Sequence, residues 1–141
     1  MEVLFRADRE PRPATRLPVR ALRADDGWCD DPEDRNYNRR VRLPYPASHE
    51  VLARSDELYD LLVVLDWNVR PRVRYRGSAI FLHLARADLA PTAGCIAVSR
   101  WALRRLLRAM GPQTAIRVGW RSPRRRALAE DRAADAYMRR P

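Results

Sequence analysis

Three prolines fall within eight residues near the start of this chain, Pro11, Pro13 and Pro18. Proline has no N–H to donate and its ring clashes with the carbonyl four residues back, so a long helix is excluded there and extended segments or edge strands are expected. The apolar runs around them are short. VLF, residues 3–5, opens the chain. ELYDLLVVLDWN, residues 57–68, turns β-branched and apolar as a buried strand does, and CIAV at 95–98 and TAIRVGW at 114–120 read as two more. In SAIFLHLA, residues 78–85, alternation sets Ile80, Leu82 and Leu84 on one face and Ala79, Phe81, His83 and Ala85 on the other. The first face reads as core. The second, with small residues and one imidazole near the strand's end, reads as leaving room for a ligand. A mainly β domain follows.

Helical signals are few. Ser99 stands as N-cap before RWALRRLLRAM, whose Trp101, Leu103, Leu106, Leu107 and Met110 form an apolar stripe while Arg104, Arg105 and Arg108 face solvent, and Gly111-Pro112 ends it. Ser48 is placed to cap a short helix, HEVLARS. Ahead of both, residues 27–46, GWCDDPEDRNYNRRVRLPYP, are rich in turn formers and read as a long irregular loop. Loops of that length in a compact domain are usually functional, so Trp28, Asp30, Asp31, Asn36, Tyr37, Asn38 and Arg39 are candidates for a binding wall. Residues 1–120 are expected to form the domain and 121–141 a basic extension, helical or disordered.

At 141 residues and 46% hydrophobic, the chain is sized for one domain with its own core. No run approaches the roughly 20 apolar residues of a membrane span, and MEVLFRADRE lacks the apolar stretch of an export signal. All 28 basic residues are Arg, for a net charge of +10. Such a surface attracts polyanions. Residues 117–141 hold eight Arg against Glu130, Asp131 and Asp135, so half of the charge lies in the tail. No helix places Arg among base-reading polar residues, and nucleic acid is not the expected partner. Cys29, His49, His83 and Cys95 match a zinc site in number, but no two are close enough in sequence to form a chelating clip.

Cys95 raises the question of chemistry. A cysteine nucleophile needs a nearby His to manage its proton, and His83 lies twelve residues before Cys95 across a loop able to fold back. Gly94 lets backbone approach a substrate closely, so amide N–H groups around Gly94 and Cys95 are candidates for an oxyanion hole. The alternative is a small hydrophobe packed before an apolar strand. Cys29, beside Asp30 and Asp31, is the poorer nucleophile because their charge disfavours its thiolate. A Cys29–Cys95 disulfide is a further alternative that would silence the site.

The run SAIFLHLARADLAPTAGCIAVS resembles the catalytic segment of YkuD-type L,D-transpeptidases, a strand-borne His followed by a loop and then Ser/Thr-x-Gly-Cys-hydrophobic. DDGWCDDPEDRNYNRRVRLPYPASHE and ELYDLLVVLDWN look like the same bacterial subgroup, so the similarity covers most of residues 1 to 118. The resemblance implies a YkuD-like β-sandwich or open barrel with one or two helices. It implies Cys95 as nucleophile, His83 as acid and base oriented by a backbone carbonyl, and Gly94 as an oxyanion donor, with Thr92, Trp28, Asp30, Tyr37 and Arg76 as substrate-binding candidates. No cofactor or metal is implied. The substrate would be a peptidoglycan tetrapeptide stem in the bacterial envelope, acylated and passed to an amine or to water. Three features depart from the pattern. The His83–Cys95 interval is several residues shorter than in the best-known members, trimming the loop over the site. Ala93 and Ala97 replace polar residues common in the family, for which Arg70, Arg72, Arg74 or Arg76 are the available substitutes. The family domain also begins upstream of where this chain starts, which predicts that Met1 cuts into the fold. Two other readings stay open: a non-catalytic wall-binding domain of the same fold, and a small basic nucleic-acid binder.

Overall fold

The structure is a computed structural model and describes residues 1–119. In chain order the elements are β1 (Glu2–Phe5), β2 (Val19–Ala21), β3 (Asp26–Cys29), β4 (Arg39–Arg42), β5 (His49–Val51), β6 (Leu61–Val64), β7 (Phe81–Leu84), β8 (Ile96–Val98) and the helix α1 (Arg100–Ala109). A five-stranded sheet runs β2-β1-β6-β7-β8, and a three-stranded sheet runs β4-β3-β5. This is the mainly β, two-sheet architecture expected, with one short helix. Antiparallel pairing holds β1, β6 and β7 together, while β2 and β8 join the two edges in parallel.

Period-two alternation serves two cores, one on each face of the large sheet. Val3, Phe5, Leu61, Val63, Leu82 and Leu84 point to a cluster that Leu103, Leu107 and Met110 of the helix close. Leu4, Leu62, Val64 and Phe81 point the other way, to Trp28, Leu52 and Tyr59 on the side of the small sheet. Register keeps the faces separate: Val3 lies opposite Val63 and Val63 opposite Leu82, whereas Leu4 lies opposite Leu62 and Leu62 opposite His83.

Ion pairs fasten the segment after β1. Glu10, buried to 5% exposure, pairs with Arg100 and Arg104, and buried Asp60 accepts Arg9 at 3.1 Å. Asp26, fully buried at the start of β3, accepts from Arg20 at 2.7 Å, Arg42 at 3.2 Å and the Arg23 amide at 2.8 Å.

Several local expectations change. The stretch expected as an irregular loop, residues 27–46, is largely a β-hairpin, because β3 and β4 pair from Asp26–Arg42 to Cys29–Arg39. Most of its turn formers fill the tip, residues 30–38, and the exit after β4. The segment expected as a helix after Ser48 is strand β5: Trp28 and Cys29 offer it a free edge, and cross-strand pairing overrides the local cap signal. No strand forms over 114–119. On α1 the core-facing stripe is narrower than expected, with Trp101 69% and Leu106 43% exposed. The C-terminal extension expected over 121–141 lies outside the described residues.

Candidate active site

Cys95 enters just ahead of β8, and His83 sits inside β7. These strands pair in parallel with Leu82 opposite Ile96 and His83 opposite Ala97. Residues paired across strands share a face, so Ala97, and Cys95 two residues before it, lie on the same face as His83. The two are one diagonal step apart, about 8 Å between Cα atoms for strands 4.8 Å apart with a 3.3 Å rise per residue. The loop 85–95 folds back as required, and Thr92, Ala93 and Gly94 at its end are exposed.

The thiol is half-buried and unpaired with Cys29. Its Sγ donates to the Ala79 carbonyl at 3.2 Å and accepts from the Phe81 amide N–H at 3.5 Å. No hydrogen bond joins it to His83. Burial pushes the Cys95 thiol above its ordinary value, the nearby Glu50 charge adding to the effect against the Phe81 N–H. His83 is 5% exposed, and its Nδ1 lies 2.8 Å from the Leu84 carbonyl. That contact requires the proton on Nδ1, so Nε2 is the free base. Burial holds the imidazole below its ordinary value, although the Leu84 carbonyl pulls it up. The resting pair is therefore a neutral thiol beside a neutral imidazole.

Gly94 adopts φ 112°, a left-handed conformation that side chains disfavour, and a Cβ there would make only an ordinary contact with Ile80 Cδ1 at 4.0 Å. Thr92 clamps the same turn by donating from Oγ1 to the Cys95 carbonyl at 2.6 Å. Beneath the thiol, Ala79 is buried at φ 52°. Its N–H donates to Asn38 Oδ1 at 3.1 Å. That oxygen also accepts from Trp28 Nε1 at 2.9 Å, and Asn38 Nδ2 donates to the carbonyls of Trp67 at 3.2 Å and Asn68 at 2.8 Å. Asn38 thus fixes the backbone on which the sulfur rests.

The remaining sequence candidates spread out. Trp28, 6% exposed, packs its edge on Phe81 at 5.5 Å below the site. Tyr37 is 4% exposed within the hairpin. Asp30 follows β3, its Oδ1 buried without a partner. Arg76 is exposed on the loop after β6, where its carbonyl accepts from Trp67 Nε1 at 2.9 Å. Cys29 is fully buried, and burial pushes its thiol up, the Asp31 amide opposing and the charges of Asp34, Asp30 and Asp31 adding to it. His49 lies in β5 with Nδ1 2.7 Å from the Ala47 carbonyl. Among the described residues no cluster of three potential metal ligands occurs.

Sequence reasoning missed Tyr59, Arg54 and Glu50. Tyr59 stands edge-on to His83 at 5.3 Å and to Phe81 at 5.7 Å, and Arg54 lies over its ring at 5.2 Å while gripping Asp56 through two hydrogen bonds of 2.6 and 2.8 Å. Burial pushes the Tyr59 hydroxyl up, so it stays a phenol. The one available signal was a polar aromatic at the head of an otherwise apolar strand.

A family model described as YkuD, L,D-transpeptidase catalytic domain, matches residues 2–118 of the chain. No curated protein and no solved structure matches it.

Proposed function

The chain belongs to the YkuD family of L,D-transpeptidase catalytic domains, and from that premise we propose that it is a cysteine acyltransferase acting on peptidoglycan stem peptides, with Cys95 as nucleophile and His83 as acid and base. The family acts in the cell envelope with a cysteine, and no helix among the described residues is long and apolar enough to cross a membrane. The observation that carries the reading is the shared face of His83 and Cys95 on neighbouring strands, beside the exposed rim Thr92–Gly94.

Neutral partners suit a general-base route. As Cys95 Sγ attacks the carbonyl carbon of the L-centre in the third stem residue, its proton passes to His83 Nε2. The oxyanion is met by backbone N–H groups around Gly94 and Cys95. Collapse breaks the C–N bond, and the imidazolium returns the proton to the departing amine of the terminal D-residue, leaving a thioester. An incoming amine then loses a proton to His83 as it attacks the thioester, and the thiolate regains that proton. Water entering in place of the amine gives an L,D-carboxypeptidase. For the sulfur to reach His83, its bond to the Ala79 carbonyl must be exchanged when substrate binds. Apo sites often tighten this way.

Intact mass spectrometry after incubation with a carbapenem tests the assignment. One covalent adduct is expected, lost in Cys95→Ala and kept in Cys29→Ala. An adduct that persists without Cys95 would sink the site. The absence of a His83–Cys95 bond favours one rival, a wall-binding domain of the same fold without turnover. An unlabelled chain that still binds purified stem peptide would select it.

A further inference from the structure

Away from Cys95, a cleft of about 720 Å3 opens between β4 and the loop after β6, lined by Arg39, Arg40, Arg70 and Arg72 with Glu2 as its one carboxylate. Four guanidinium groups against one acid leave a net charge of +3 in one concavity. Arg40 reaches Glu2 through Nη2 at 2.7 Å, but its Nε–H is buried with no partner. Among the described residues Arg39, Arg70 and Arg72 make no ion pair, whereas Arg74, two residues on, reaches Glu33 at 2.7 Å. Like charges gathered with a single carboxylate among them, beside a buried donor left unused, favour an anionic ligand.

The floor is rigid. Trp28 and Asn38 form it, joined by the 2.9 Å indole hydrogen bond, and Asn38 also grips the Trp67 and Asn68 carbonyls that lead into the Arg70–Arg72 segment. Val69 and Pro71 add apolar wall. Planar guanidinium forks match carboxylate and phosphate oxygens two at a time, and the volume lies within the roughly 300–1,000 Å3 of small-ligand sites. We propose that this cleft binds a multiply charged oxyanion, phosphate- or carboxylate-bearing, at a site separate from Cys95. The assignment is independent of the chemistry at Cys95.

Isothermal titration of the full chain with inorganic pyrophosphate, and separately with citrate, tests it at about 0.15 M salt, where charges beyond roughly 8 Å are screened. Saturable binding with one anion per chain is expected. Arg70→Ala/Arg72→Ala should weaken it by about tenfold or more through the loss of two guanidinium forks. Arg12→Ala/Arg23→Ala, which removes the same charge elsewhere, should leave it unchanged, as should Cys95→Ala. Tighter pyrophosphate binding identifies a phosphate ligand and tighter citrate binding a carboxylate. No saturable binding of either anion, or equal weakening in the Arg12/Arg23 control, overturns the proposal.

Discussion

Every hydrogen-bonding position of the Asn38 carboxamide is occupied, two accepted bonds at Oδ1 and two donated from Nδ2. Asn38→Asp keeps the shape but turns an oxygen toward the Trp67 and Asn68 carbonyls. It should cost about 3 kcal/mol or more, since a buried charge would face acceptors. Denaturant titration would show it, and a midpoint within error of the parent would contradict the role given to this residue. Cys95 and His83 allow a second measurement. Burial raises one group and lowers the other, so alkylation of Cys95 by iodoacetamide should rise with a midpoint above pH 9. A thiolate–imidazolium pair would already react at its plateau near neutrality. That Cys95 and His83 share a face was suggested by the fold-back loop between them and by the resemblance of the surrounding segment to the family. Asn38 was readable only as one polar loop residue among several, for its partner Ala79 lies 41 positions away and nothing local announces the contact.

At the scale of elements, α1 keeps the cap and the stop its sequence predicts but buries a narrower stripe. Ser99 Oγ accepts from the Ala102 N–H at 3.3 Å, so Ser99→Ala should cost about 1 kcal/mol. Leu107 is fully buried, and Leu107→Ala should cost about 2–5 kcal/mol. Trp101→Ala, at a side chain 69% exposed, should stay within about 0.5 kcal/mol. Chemical denaturation of the three variants checks the order, and a Trp101 effect rivalling that of Leu107 would mean that the helix docks on another face. The helix was legible because its cap, repeat and Gly-Pro stop agree. Strand β5 was not: Ser48 with the apolar residues after it makes a fair helix start, and only the free edge beside Trp28 and Cys29 decides otherwise. The 27–46 hairpin was hidden for a related reason. β4 reads Arg-Arg-Val-Arg, with Val41 its one buried residue, and such a strand carries almost no apolar alternation.

For the whole molecule, titration sets the stable range. His83 has its affinity for protons lowered by folding, so its contribution is complete above pH 6.5 and is lost as pH falls through its folded value. Cys29 and Cys95 are shifted the other way, and their contribution is complete below pH 9 and lost as pH rises through their folded values. Asp26 adds a lower step: burial opposes its charge, but the Arg23 amide and the Arg20 and Arg42 guanidinium groups outweigh it, so its share disappears below pH 3.8. The thermal midpoint should be flat from about 6.5 to 9 and fall on both sides. His83→Gln should remove the shoulder just below 6.5, and its persistence would place that titration elsewhere. The double-sided large sheet carries one more implication. Because successive residues of β7 face opposite cores, substitutions at 82 and 84 are felt in the helix-side cluster and substitutions at 81 and 83 in the layer facing the small sheet. A directed-evolution library can therefore vary the two packing layers on adjacent codons.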